Sequence, residues 1–254
     1  MRIELIPPGT GELTYEIRNI VNVAEKLQKH GVKINWENIG DPIVKGEVIP
    51  EWMKEIVTRA VMDNRTWGYC HTRGVLETRE FICDTTNSRG GAQITPDDII
   101  FFNGLGDAIA KIYGCLRPEA RVLMPSPSYT THTLGEIGHA HSAPSLFCLK
   151  PDNNWYPDMD DLRNHVRYNP NICAIMLINP DNPTGMVYTR ELLQEIVEVA
   201  RENDLFIIAD EVYIRSEGDG STAFIPNIQD KRRATAFSAP AARRPRPACP
   251  SKIF

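Results

Sequence analysis

The chain has no run of apolar residues approaching the roughly twenty needed to cross a bilayer, and its N-terminus lacks the charged-then-apolar pattern of a secretory leader. From those two absences no membrane partner is expected, and the expected compartment is the cytoplasm. Six cysteines, Cys70, Cys83, Cys115, Cys148, Cys173 and Cys249, are scattered without any Cys-x-x-Cys spacing, which argues against a zinc site and against a disulfide framework. A surplus of positive charge is missing too. The formal net charge is -5, so the body of the protein offers nothing to a nucleic-acid backbone. His139 and His141 alternate and on a strand would share a face, but no third metal ligand accompanies them. A solvated pair beside a turn is therefore expected. Gly104-Leu105-Gly106 has Ile109 where a dinucleotide fingerprint wants its third glycine, which excludes a Rossmann site.

What is present is the composition of an ordinary globular enzyme: 254 residues, 42% apolar and 24% charged, enough to bury a sizeable core. Apolar periodicity predicts helices over residues 13–29, 51–62, 75–85, 107–116, 159–167 and 189–203. The first puts Ile17, Ile20, Val21, Ala24 and Leu27 on one face and ends before Gly31, a residue suited to a left-handed stop. Short apolar runs at 99–102, 122–124, 172–178 and 205–209 read as strands. Strands alternating with helices predict an α/β fold of three layers, α/β/α, around a mainly parallel sheet. Ligands of such sheets sit beyond the carboxyl ends of the strands. Gly104, Tyr129, Asn182 and Tyr213 all fall there.

Two of these strand ends carry chemistry. The run Leu205-Phe206-Ile207-Ile208-Ala209 leads straight into Asp210. A strand buried on both faces that ends in a carboxylate is costly unless a cation or hydrogen-bond donor meets the acid, and a protonated pyridine nitrogen would do so. The run Asn179-Pro180-Asp181-Asn182-Pro183-Thr184-Gly185 follows the apolar stretch 172–178. Taken alone it is a turn that stops a strand.

Together the two segments resemble the Asn-Pro-x-Asn-Pro-Thr-Gly and Asp-Glu-x-Tyr motifs of the class I/II aminotransferases of fold type I, which use pyridoxal 5'-phosphate. The resemblance implies that Asp210 pairs with the cofactor's ring nitrogen and keeps the pyridine an electron sink. It implies that Asn182 and Tyr213 hydrogen-bond the phenolic oxygen. Phe101-Phe102-Asn103-Gly104-Leu105-Gly106-Asp107 reads as a strand, a glycine turn and a helix start, a place where N–H groups receive a phosphate. In the family that turn cradles the cofactor phosphate, which implies Leu105 and Gly106. The turn Pro125-Ser126-Pro127-Ser128-Tyr129 is similar to the one that stacks an aromatic ring on the pyridine, implying Tyr129; an exposed turn tyrosine is the other reading. Gly40 in Ile39-Gly40-Asp41-Pro42 resembles the glycine lying over the substrate carboxylate, although the triplet also reads as a turn. Tyr69, with Gly74 and Arg79, resembles a family pattern whose tyrosine reaches the phosphate in the neighbouring subunit's site, implying a homodimer.

By that resemblance the protein is expected to move an amino group between an amino acid and a 2-oxo acid. Other fold-type I activities, a carbon–sulfur lyase or a ring-forming synthase, and a non-catalytic fragment remain as alternatives. Residues 1–50 are expected as an N-terminal arm, 51–226 as an incomplete large domain that binds the cofactor, and 227–254 as a disordered tail rich in Arg and Pro. In this last segment the family enters another buried strand, reaches a Ser-Lys whose lysine forms the Schiff base, and continues into a small C-terminal domain. The expectation is a truncated chain without that domain and with impaired activity. Ser251-Lys252 makes Lys252 the candidate lysine, though no apolar strand precedes it; a chance lysine in an unrelated tail is the other reading. The amino-acid substrate is not legible.

Overall fold

The apolar runs at 122–124, 172–178 and 205–209 become strands of one sheet in the computed structural model, which describes residues 16–36, 40–213 and 234–237. The strands are β1 (Arg121–Ser126), β2 (Ser145–Lys150), β3 (Tyr156–Pro157), β4 (Ile172–Ile178), β5 (Phe206–Asp210) and β6 (Ala234–Phe237), in the spatial order β3-β2-β1-β4-β5-β6. Every pairing is parallel except β2 with β3.

Successive side chains of a strand point to opposite faces, and each face here is apolar. Leu123, Ile175, Leu177, Ile207 and Ala209 join one core with Leu162, Val166, Leu193, Ile196 and Val199. These last five come from α6 (Met159–Tyr168) and α7 (Arg190–Glu202). Val122, Met124, Ala174, Met176, Ile178 and Ile208 join a second core with Ala108, Ile109 and Tyr113 of α4 (Leu105–Gly114). The helix α5 (Thr130–Ala140) packs beside α4. The result is the expected α/β/α sandwich with a mainly parallel sheet.

The described residues divide into two units. One spans 72–213 with 234–237 and contains the sheet together with α3 (Leu76–Asn87). The other spans 16–36 and 40–71 and contains α1 (Glu16–Lys29) and α2 (Glu51–Met62). The stop of α1 is as expected. Gly31 has φ 85, its N–H donates to the Gln28 carbonyl, and that of Val32 donates back to the Leu27 carbonyl, the paired bonds of a Schellman motif. Among the described residues no helix is long and apolar enough to cross a membrane.

Three expectations differ from the structure. Residues 99–102 are extended but stay outside the sheet; the Phe101 N–H finds the Arg73 carbonyl instead of a ladder partner. Residues 234–237, expected in the disordered tail, form β6, because the parallel edge of β5 offers a row of N–H and C=O groups to a short segment of small and aromatic residues. His139 and His141 are not a solvated pair. His139 lies in the last turn of α5 with its side chain buried, and His141 is the exposed cap of that helix at φ 52.

Candidate functional site

Between β1 and β4 the order of connection reverses: the chain leaves β1 outward to β2 and returns on the other side at β4. A crevice opens at such a point, beyond the carboxyl ends of the strands. Ile178, the last residue of β4, lies in register with Asp210, the last of β5. Asp210 is only 3% exposed. One carboxylate oxygen, Oδ1, accepts the Val212 N–H at 3.1 Å, and Oδ2 lies 3.0 Å from Nε2 of His132. An ionised carboxylate only accepts, so the proton of that bond sits on Nε2 and the imidazole donates. His132 is wholly buried, in the first turn of α5. The sequence reading did not single it out. Its signal was its place three residues after Tyr129, on the same side of a helix that the composition concealed.

The turn after β4 is organised from within. The backbone N–H of Asn179 donates to the Asp210 carbonyl at 2.9 Å, and its side-chain oxygen accepts the Tyr188 N–H at 2.9 Å. Asp181 holds the loop closed: Oδ2 accepts the N–H of Thr184 at 3.1 Å and its hydroxyl at 2.5 Å. The Asp181 carbonyl takes the Gly185 N–H at 3.0 Å, while its own N–H donates to Met186 at 2.8 Å. The Asn179-Pro180 and Asn182-Pro183 bonds are cis, as is Ser126-Pro127. Asn182 stands half-buried within this frame. Burial pushes the Asp181 carboxyl above the usual carboxylate range; the Thr184 bonds pull it down and the nearby Asp210 adds to the rise.

Tyr129 is the residue immediately before α5, and its ring meets that of His132 edge-on at 6.2 Å. Leu105 and Gly106 form the first turn of α4, whose N–H groups have no partner within the helix. Leu105 and Tyr129 pack against the same core cluster. A Cβ at Gly106 would meet nothing within 4 Å, so space is open on that turn. Tyr213 follows Asp210 by three residues and is 46% exposed. The structure therefore brings Leu105, Gly106, Tyr129, Asn182, Asp210 and Tyr213 to one end of one sheet, and adds His132.

Other expected site residues belong to the second unit or fall outside the described residues. Gly40 and Tyr69 belong to the unit 16–71, where the Tyr69 side chain is fully exposed. Gly74 and Arg79 are structural. The Arg79 guanidinium, buried at 4% exposure, donates to the carbonyls of Gly74 at 3.2 Å and Pro96 at 2.6 Å. Lys252 lies outside the described residues.

The family model for aminotransferase class I and II matches residues 33–237. An uncharacterised aminotransferase of Methanocaldococcus jannaschii is 56% identical over 84% of this chain and 49% of its own. A glutamate-pyruvate aminotransferase, AlaA of Escherichia coli, is 35% identical over 78% of this chain and 48% of its own. The solved alanine aminotransferase from Pyrococcus furiosus superposes with a TM-score of 0.73 at 33% identity, covering 82% of this chain and 52% of that one. The chain thus spans about half the length of the curated relatives it matches. With both motifs standing at adjoining strand ends, and most of this chain matched by the family's model, this protein belongs to the class I and II aminotransferases, a family dependent on pyridoxal 5'-phosphate.

Proposed function

We propose that this chain carries the cofactor site of an aminotransferase that moves an amino group from glutamate to pyruvate. Those substrates are the ones named for the glutamate-pyruvate aminotransferase and the alanine aminotransferase to which it is similar. The observation that carries the reading is Asp210: a carboxylate at a strand end, 3% exposed, and held by an imidazole and a backbone N–H. A buried acid so arranged is poised for a cationic ring N–H.

The residues present fit pyridoxal 5'-phosphate. Asp210 holds a proton on the ring nitrogen, and His132, donating from Nε2 to Oδ2, orients the carboxylate and disperses its charge. Tyr129 offers its ring to the flat face of the pyridine. Asn182 and Tyr213 donate to the phenolic oxygen from the two flanking strand ends. Leu105 and Gly106 present first-turn N–H groups to the phosphate, and the open space over Gly106 leaves room for it. The chemistry supplied by the bound cofactor is that of an electron sink for the carbanion left when an amino acid loses its α-proton. Lys252 is the candidate for covalent attachment in this reading. The assembly is a cytoplasmic homodimer in which the exposed Tyr69 reaches the partner's phosphate site.

The test is an absorbance titration of the purified chain with pyridoxal phosphate, followed by borohydride reduction and peptide mass mapping. A saturable spectral shift that Asp210→Ala abolishes is expected. A unique adduct on Lys252 would assign that residue the attachment. Absence of any saturable shift would overturn the reading.

A further inference from the structure

His132, Glu136 and His139 are spaced four and three residues apart, so they form one stripe of α5. All three side chains are buried. A helix that turns three ionisable groups inward must find a partner for each. His132 finds Asp210. Glu136 finds β1: its Oε1 accepts from Arg121 Nε at 2.7 Å and from the Val122 N–H at 3.3 Å. The register of β1 on β4 shifts between Arg121 and Val122, so Glu136 serves a backbone donor at an irregularity of the ladder. The other oxygen, Oε2, lies 3.3 Å from His139 Nδ1, and His139 Nε2 lies 2.7 Å from the Ala120 carbonyl. Arg121 continues to the Ala143 carbonyl at 2.6 Å, just past the end of α5.

Two further groups face this cluster. The Tyr113 ring of α4 lies 5.6 Å from that of His139, and Cys173 of β4 is close enough for Glu136 to hold its thiol pKa up, after burial. Gly135 completes the fit. A Cβ there would come within 2.9 Å of Ile109 and 3.0 Å of Tyr113, so α5 is seated against α4 at the same level at which Glu136 grips β1. The cofactor-facing end of α5 hangs from this anchor: His132 is one turn, about 6 Å, before Glu136, and Tyr129 precedes the helix directly.

We propose that Glu136 is a positioning residue for the cofactor site: with Arg121 and His139 it fixes where α5 sits along β1, and so sets His132 against Asp210 and Tyr129 over the crevice. Glu136, Arg121 and His139 are not among the residues assigned to the cofactor above. Their effect is on the seat of the helix. This assignment takes the cofactor site as proposed above, and its test has one arm that needs no cofactor.

That arm follows the Nε2–H proton of His132 by NMR in the full chain. Burial and a carboxylate partner shift such a proton downfield and slow its exchange; the signal is identified by its loss in His132→Gln. In Glu136→Ala the signal should exchange with water at least tenfold faster, at a temperature well below the melting point. In Glu136→Gln, whose amide oxygen still accepts from Arg121 and Val122 and whose NH2 donates to His139 Nδ1, it should persist. If Glu136→Ala does not fold, His139→Ala, which leaves the Arg121–Glu136 pair in place, gives the same readout. In the second arm the dissociation constant for pyridoxal phosphate should rise about tenfold in the alanine variant and stay within twofold in the glutamine variant. An unchanged His132 signal in a folded alanine variant, with only the melting temperature lowered, would overturn the proposal. Failure of the wild-type chain to bind the cofactor would instead sink the proposed function and leave the first arm standing.

Discussion

Two carboxylates at neighbouring strand ends, Asp210 and Asp181, are both buried, yet their surroundings differ. Asp210 meets an imidazole and a backbone N–H. Asp181 is met by Thr184 alone on Oδ2, and its Oδ1 has no hydrogen-bond partner among the described residues. Removing the Asp210 carboxylate should therefore strip the ring-nitrogen partner from the site, and Asp210→Ala should weaken pyridoxal phosphate by about a hundredfold or more, the ~3 kcal/mol typical of breaking a buried charge pair, in an absorbance titration. Asp181 makes a prediction of the opposite kind. Its folded-state pKa is raised above 3.8, by burial first. The stability it contributes is thus complete below pH 3.8 and lost as pH rises through the raised value. Asp181→Asn keeps an acceptor for Thr184 without the charge, so its melting temperature should fall less than the wild type's as pH is taken upward from 3.8; parallel curves would refute the account. At this scale Asp210 was legible because a charge that ends an apolar strand stands out in any sequence. His132 was not, because its partner lies 78 residues away and only the folded sheet brings them together.

Among the elements, those with clean apolar periodicity matched their expected bounds closely, and α2 coincides with 51–62. The helix α5 was missed for a physical reason. Its sequence, Thr-Thr-His-Thr-Leu-Gly-Glu-Ile-Gly-His-Ala, is built largely from residues of poor helix propensity. Tertiary packing forms it: Gly135 admits α4, and the inward stripe finds partners on the sheet. The Tyr-x-x-x-x-Gly-x-x-x-x-Arg pattern was legible as a pattern, but two of its three members hold an element together. Gly74 has φ 102, and a Cβ there would lie 2.1 Å from the Phe101 ring. Gly74→Ala combines a left-handed backbone penalty of ~1–2 kcal/mol with overpacking of similar size, so urea unfolding should show a loss of about 3 kcal/mol. Gly106→Ala is the contrasting case. Its Cβ meets nothing, and alanine is the better helix residue by ~0.5–1 kcal/mol, so the variant should melt no lower than the wild type. It should nevertheless bind pyridoxal phosphate more weakly, since the new methyl group occupies the space in which the phosphate approaches the first-turn N–H groups. Equal affinity would remove Gly106 from the site.

For the molecule as a whole, the sheet decides where covalent chemistry can be attached. The carboxyl ends of β4, β5 and β6 run level: Ile178 pairs with Asp210, and Asp210 with Phe237. Family resemblance puts a Ser-Lys just past a buried strand in this part of the chain, and the residues that follow Phe237 are Ser238 and Ala239. Position 239 follows by two residues in sequence the strand end that pairs with Asp210. Lys252 comes thirteen residues later still. Composition concealed this, because Arg and Pro on either side of residues 234–237 read as a disordered tail, whereas the edge of β5 supplies the hydrogen bonds that the segment's own sequence does not advertise. A lysine attacks well only when it is held within reach of the carbonyl it must meet. The prediction is that Ala239→Lys gives this chain a borohydride-reducible adduct with pyridoxal phosphate that maps to residue 239, at a stoichiometry near one. No adduct on residue 239 in the variant would mean that β6 does not deliver the attachment point.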